Sequence, residues 1–424
     1  MVEAACPPFL AACLAAFLCA CAARGGLPLE PATPAASLRI ADGDFDRDPR
    51  PVSGREAALD LDVAVRAFAE AYAGVEGALR LPPSERIAAT RAKLEAQPRW
   101  TPEALVEVLA ELLREPDGHL AFGWDGRSPL RRAAWPSAFP APRARAPSPA
   151  VTLVPGSVPR LVVRTFDSAA TADLARLPAL ARDLRDLPAF VVDLRGNGGG
   201  NFGYAAGFLL ELTDAPLRPL DEREVVSVAA AEGRANSARR RLALGEVPAP
   251  AEPVYRAHVE ALDVEAAFLR ERGAQRSERV AEGGVLWGRA PGPLRGRAVF
   301  LVDGGCASAC EMTVALARQI PGVVIAGEPT RGSMAAGEIA LYRLPRSGVT
   351  ISLGTRAFRD PLGGFAETRG FLPDVPIAGR DVAARAGVLA ERGMQGLSAF
   401  DAEHDSNGPS RVVSPAVTRV SSRR

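Results

Sequence analysis

From Arg55 to about Leu79 apolar residues recur at helical spacing, and two further helical stretches follow behind caps at Pro83-Ser84 and Thr101-Pro102. The pattern predicts a small N-terminal bundle of three helices. It ends at a breaker cluster, Arg114-Glu115-Pro116-Asp117-Gly118, after which His119-Leu120-Ala121-Phe122-Gly123-Trp124 alternates like a strand. His119 thus sits where a loop becomes a strand. Farther on, strand-like runs at Arg160–Phe166, Phe190–Leu194, Val299–Val302 and Val323–Ala326 alternate with helical stretches near 170–186, 203–213 and 308–319. That alternation marks an α/β layer structure. Strands are expected again at Glu338–Leu344 and Val349–Arg356, and a last helix over about 381–393 before a polar tail. Residues 217–293 are charged and arginine-rich, and their pattern predicts a helical insertion covering the site rather than more sheet.

The apolar run Phe9–Ala20 is shorter than the ~20 residues a membrane-spanning helix needs, and it reads as an export signal. Its end, Leu18-Cys19-Ala20-Cys21, resembles a bacterial lipobox. Cys21 would then carry a lipid, and the chain would be a periplasmic or outer-membrane lipoprotein touching the membrane only through that anchor. The expected organisation is a signal over 1–21, a Pro-, Gly- and Asp-rich tether over 22–54, the helical bundle over 55–125 and a Pro-rich connection over 126–158. A catalytic α/β domain follows over 159–380, and a helix with its tail over 381–424.

Composition narrows the chemistry. With 47% hydrophobic and 24% charged residues and a formal net charge of +1, the chain can bury a sizeable core and has no polyionic character, so nucleic acid is not an expected partner. Lys93 is the sole lysine, and only three histidines occur: His119, His258 and His404. Four of the six cysteines lie in the leader, which leaves Cys306 and Cys310 and no Cys-x-x-Cys metal motif. No cofactor is expected. The remaining pair either closes a small ring around Ser308 in an oxidising compartment or forms two buried thiols.

Two segments repeat one design, an apolar strand entering a glycine turn. In Phe190-Val191-Val192-Asp193-Leu194-Arg195-Gly196-Asn197-Gly198-Gly199-Gly200 the glycines permit positive φ and close backbone approach, so the turn can hold an oxyanion. It lacks the Lys-Ser/Thr ending of a P-loop and the spacing of a dinucleotide fingerprint. In Val299-Phe300-Leu301-Val302-Asp303-Gly304-Gly305-Cys306-Ala307-Ser308-Ala309-Cys310-Glu311, Ser308 opens a helix. With Glu311 three residues on, it satisfies capping-box spacing. The same place also suits a nucleophile, because first-turn N–H groups and the helix dipole favour a developing oxyanion.

These two segments, followed by Gly327-Glu328-Pro329-Thr330-Arg331-Gly332 and by Glu367-Thr368-Arg369-Gly370-Phe371-Leu372-Pro373-Asp374, resemble in content and order the C-terminal processing, or tail-specific, peptidase superfamily. The resemblance covers roughly 100–125 and 160–380. It implies a ClpP/crotonase-like core, Ser308 as nucleophile, and Ala309 and Gly199 as oxyanion donors. One branch uses a lysine base, often beside a PDZ domain. Here the lysine position is Ser333, and the ~40 residues between His119 and Arg160 leave no room for a PDZ domain. The better match is the histidine-using branch that includes the tricorn core and the modules of interphotoreceptor retinoid-binding protein, in which Asp117-Gly118-His119 has a counterpart. It implies His119 as general base and Glu367 in the charge relay, with the tricorn relay serine replaced by Gly118. Asp193, Arg195, Asn197 and Asp374 are expected to hold loops. The implied activity is serine-type hydrolysis of peptides or partly unfolded proteins. A non-catalytic binding module of the same fold, or a hydrolase of small esters or amides, are the alternatives; the sequence does not address oligomeric state.

Overall fold

The computed structural model describes residues 37–405, apart from 46, 76, 78, 116, 124–130 and 133–148. The export signal, Cys21, the start of the tether, much of the Pro-rich connection and the final tail lie outside the described residues.

Three helices open the fold: α1 (Gly54–Ala71), α2 (Ser84–Glu95) and α3 (Pro102–Leu112). Helix α1 starts at a capping box in which Ser53 Oγ accepts from Glu56 N–H at 3.3 Å and Glu56 Oε2 accepts from Ser53 N–H at 2.9 Å. Thr101 caps α3 with a single bond, its hydroxyl accepting from Ala104 N–H. The inner faces, with Leu61, Phe68, Leu105 and Leu109, are buried, but their core continues into Phe122, Tyr342, Ile351 and Leu353 of a sheet. The bundle is therefore one layer of a larger body.

Among the described residues two six-stranded sheets and one short pair, Pro216–Leu217 with Leu286–Trp287, organise the remainder. In chain order the strands are β1 (Ala121–Gly123), β2 (Arg131–Arg132), β3 (Val151–Val154), β4 (Arg160–Val163), β5 (Ala189–Asp193), β6 (Pro216–Leu217) and β7 (Asp221–Val226). Then come β8 (Ser277–Ala281), β9 (Leu286–Trp287), β10 (Arg297–Val302), β11 (Val323–Gly327), β12 (Ala336–Arg343), β13 (Thr350–Arg359) and β14 (Val375–Pro376). The first sheet runs β14-β11-β10-β5-β4-β3, parallel except for the antiparallel edge strand β3. Its central strands β5 and β10 are almost wholly apolar and buried, as parallel strands covered on both faces must be. One face packs on α4 (Thr171–Leu174), α5 (Leu177–Leu184), α6 (Phe202–Leu210) and α9 (Ala309–Ala317), the other on α10 (Val382–Asp405), which is interrupted at Gly393. Phe190 and Phe300 are fully buried here, each worth about 1.5–3 kcal/mol.

In the second sheet β13 is central: β12 pairs along one side, while β1 and β7 divide the other, and β2 and β8 extend these edges. This corrects the reading of 217–293. The segment does contain a long helical hairpin, α7 (Val228–Ala243) and α8 (Glu252–Glu271), but β7 and β8 within it are sheet. Charges had masked β7. Glu224 is buried against Arg234, Arg279 and Arg356, and Asp221 pairs with Arg359 on β13. The catalytic segment also begins earlier than residue 159, because β3 pairs with β4 from Val151. The last helix runs past 393, Gly393 with φ 69° absorbing the break.

Strands β5, β10 and β11 lie side by side and parallel, so the loops after them emerge at one edge of the first sheet. That carboxyl edge is where α/β sheets carry their sites. The connection from β11 to β12 then crosses from the first sheet to the second, beside the segment that leads into β1.

Candidate active site

Ser308 sits at the turn between β10 and α9 with φ 53° and ψ −119°, a conformation that an L-residue adopts only where the surroundings over-determine it. Its N–H donates to Glu311 Oε2 at 3.1 Å. Gly199, with φ 94°, lies hard against it: a Cβ there would stand 2.9 Å from Ser308 Cβ and 3.0 Å from Ala309 N. The three residues expected to form the nucleophile and oxyanion loop are thus brought together. They do not present equal donors. Gly199 N–H already donates to Asn197 Oδ1 at 3.0 Å, whereas Ala309 is the first helical residue and its N–H has no intrahelical acceptor. Cys306 and Cys310 are joined by a disulfide that brackets Ser308, with Cα atoms 5.3 Å apart and both residues buried.

The glycine turn is held from below. Asp193, buried at the end of β5, meets Arg160, Arg164 and Arg195; burial pushes its carboxyl up, but the Arg195 hydrogen bonds and the charges of Arg164 and Arg195 outweigh this and hold it at about 2. Asn197 Nδ2 donates to Val163 O, and Asp303 Oδ1 accepts from Gly196 and Gly305 N–H, each at 2.8 Å. Asp374 Oδ2 accepts from Ile325 N–H, fixing the approach to β14.

His119 arrives from the other sheet. Its backbone oxygen accepts from Ser352 Oγ of β13 at 3.1 Å, and its N–H donates to Asp117 Oδ1 at 2.7 Å. The ring is largely buried, with Nδ1 3.7 Å from Asp117 Oδ1. Among the described residues no hydrogen bond joins the ring to Ser308 Oγ.

Two carboxyls, Glu311 buried and Glu367 half-buried, tie these halves together. Glu311 accepts from Ser308 N–H, Thr330 Oγ1, Gly332 N–H and Ser333 N–H. Glu367 accepts from Met334 N–H at 3.2 Å, Ala335 N–H at 2.9 Å and Gly118 N–H at 3.1 Å. Four successive N–H groups of the crossing loop, residues 332–335, are therefore divided between one carboxyl on the serine side and one on the histidine side. Burial pushes Glu311 up against these donors. Burial, followed by the charge of Asp117, pushes Glu367 to about 8.

The expectation for Glu367 is modified by this. It meets backbone rather than the imidazole, and the carboxylate nearest the ring is Asp117. Sequence reasoning left Glu311 as a helix cap and did not single out Asp117; the capping-box spacing and the Asp-x-His spacing were the available signals. Ser333, at the lysine position of the other branch, is buried with its N–H on Glu311, and Lys93 is exposed on α2. His258 lies on α8 among Glu338, Arg234 and Arg356, in the charge cluster of the second sheet. The side chain of His404 lies outside the described residues.

A family model, peptidase family S41, matches residues 160–377, just over half of the chain. The chain belongs to peptidase family S41. As a member of that family it is a serine-type peptidase, a hydrolase acting on peptides or proteins. No curated protein matches it. Among solved structures, mature CPAF is 14% identical at a TM-score of 0.51, covering 82% of this chain and 98% of its own. The photosystem II D1 C-terminal processing protease is 18% identical at 0.33, covering 58% and 54%, and the tricorn protease 13% identical at 0.28, covering 58% and 18%. The likeness to mature CPAF is one of fold.

Proposed function

We propose that this S41 peptidase works through an acyl-enzyme on Ser308, with His119 as general base. His119 takes the Ser308 proton, the hydroxyl oxygen attacks the peptide carbonyl, and the tetrahedral oxyanion forms beside Ala309 N–H. Gly199 N–H is a second donor, which Asn197 Oδ1 must share. One such donor lowers the barrier by about 3–4 kcal/mol. His119 then protonates the leaving amine, and water, activated by the same ring, releases the acyl group.

The observation that carries the reading is the shared crossing loop. Glu311 and Glu367 hold adjacent N–H groups of 332–335 while also holding Ser308 N–H and Gly118 N–H, so the nucleophile loop and the histidine loop are fixed to one element. On this reading the ring and the hydroxyl come within hydrogen-bond reach in the substrate complex, since catalytic hydrogen bonds are often long in the resting enzyme. Turnover of a peptide library by wild-type enzyme, absent in Ser308→Ala and in His119→Ala, tests it. Full turnover by either variant would remove that residue from the mechanism.

We further propose export, with lipid on Cys21, and partly unfolded proteins as substrates. The apolar leader ending in Leu18-Cys19-Ala20-Cys21 supports the first, and so does a Cys306–Cys310 bond, which persists in oxidising compartments. Metabolic labelling with a fatty acid, lost in Cys21→Ala, is the expected result; a label retained by the variant would contradict it.

A further inference from the structure

The surroundings of His119 contain polar atoms that the scheme above leaves unused. Among the described residues His119 Nδ1 makes no hydrogen bond, and the buried Tyr72 hydroxyl and Asp117 Oδ2 lie in the same cluster. Buried polar groups are ordinarily paired, and these three have one another within the same cluster. They are also mutually arranged. Asp117 is clamped by a 2.7 Å bond from His119 N–H, which leaves its Oδ1 3.7 Å from Nδ1 of the same residue. The Tyr72 phenol, packed on Phe68 with ring centroids 4.6 Å apart, lies against Asp117; burial, the Asp117 charge and contact with the Asp117 carboxylate all push it above its ordinary range. Glu367 is otherwise occupied, its two oxygens taken by the N–H groups of Gly118, Met334 and Ala335.

We propose that Asp117, braced by the Tyr72 hydroxyl, is the residue that positions the His119 imidazole, while Glu367 positions the backbone of the loops on either side. This rests on His119 being the base. A base histidine must carry its resting proton on Nδ1, so that Nε2 can accept the serine proton, and a carboxylate at Nδ1 enforces that tautomer. Asp117 Oδ1 needs to approach by less than an ångström to reach hydrogen-bond range. Tyr72 then donates to Oδ2, leaving Asp117 no other orientation. Asp117 and Tyr72 are positioning residues, acting through the ring.

With only three histidines in the chain, 15N-histidine NMR of the full-length enzyme reads the tautomer of His119 directly, His119→Ala supplying the assignment. Wild type is expected to show the Nδ1–H form. Asp117→Asn keeps an oxygen for His119 N–H but loses the charge; it should shift the ring toward the Nε2–H form and lower kcat about 10²–10⁴-fold, with KM changed less than about threefold. Tyr72→Phe keeps the packing on Phe68 and should lower kcat about tenfold with a partial tautomer shift. Wild-type tautomer and kcat in Asp117→Asn would overturn the proposal. Should that variant fail to fold, the same null result in Tyr72→Phe overturns it. Undiminished turnover by His119→Ala would instead remove the base assignment itself, and this proposal with it.

Discussion

Replacing Glu311 by Gln tests whether the carboxyl organises the site or merely caps α9. In the wild type each oxygen accepts two hydrogen bonds, Oε1 from Thr330 Oγ1 and Gly332 N–H, Oε2 from Ser308 and Ser333 N–H. A glutamine fits best with its oxygen toward Ser308 and Ser333 and its amide donating to Thr330 Oγ1, which as a hydroxyl can reverse and also accepts from Phe371 N–H. Gly332 N–H then faces an amide N–H and has no acceptor. One orphaned buried donor costs about 1–3 kcal/mol, and the two bonds that remain lose their charge assistance, against which stands the relief of a buried charge. The net expectation is a loss of about 2 kcal/mol in urea denaturation. Because Ser308 N–H and the crossing loop move together, kcat on a peptide should fall about 10²-fold. A Glu311→Gln enzyme with wild-type midpoint and kcat would refute the reasoning, since it would mean that the group works as a neutral acid and that the loop does not depend on its charge.

Two further outcomes follow from the same geometry. Gly199→Ala places a Cβ 2.6 Å from Ala307 O at φ 94°, and should abolish most activity and cost about 1–3 kcal/mol, whereas Gly198→Ala, with nothing within 4 Å, should be near neutral in stability; equal stability of the two variants would contradict this. Glu367 is raised to about 8 from an ordinary value near 4.5, so the folded state binds the extra proton between these pH values. Its contribution is fully present below about pH 4.5 and is lost as pH rises through 8, so thermal stability should decline over that window, and Glu367→Gln, which mimics the protonated carboxyl, should flatten the decline. An unchanged slope in the variant would assign the titration to another group.

The sheet that carries Ser308 was legible because β5 and β10 are unbroken apolar runs that enter glycine turns, a pattern set by burial on both faces. The second sheet was less so. In β7, Asp-Glu-Arg-Glu-Val-Val looks like a solvated segment, yet Glu224 is buried because three arginines, on α7, β8 and β13, surround it. Pairings across such distances along the chain leave no local periodicity. The site divides in the same way. Ser308, Ala309, Gly199, His119 and its neighbour Asp117 stand in local motifs, but the work of Glu311 and Glu367 depends on a loop that crosses between sheets. Spacing places Glu367 beside the right segment without saying whether it meets a ring or a backbone. Tyr72 had no sequence signal, since an aromatic residue at the end of an amphipathic helix reads as core.

The central claim is that Ser308 is the nucleophile and that His119 activates it. Covalent labelling with a fluorophosphonate, followed by mass-spectrometric location of the adduct, measures both at once. The adduct is expected on Ser308, with the labelling rate reduced at least about 10²-fold in His119→Ala. An adduct on another residue, or an undiminished rate at Ser308 in that variant, would contradict the account.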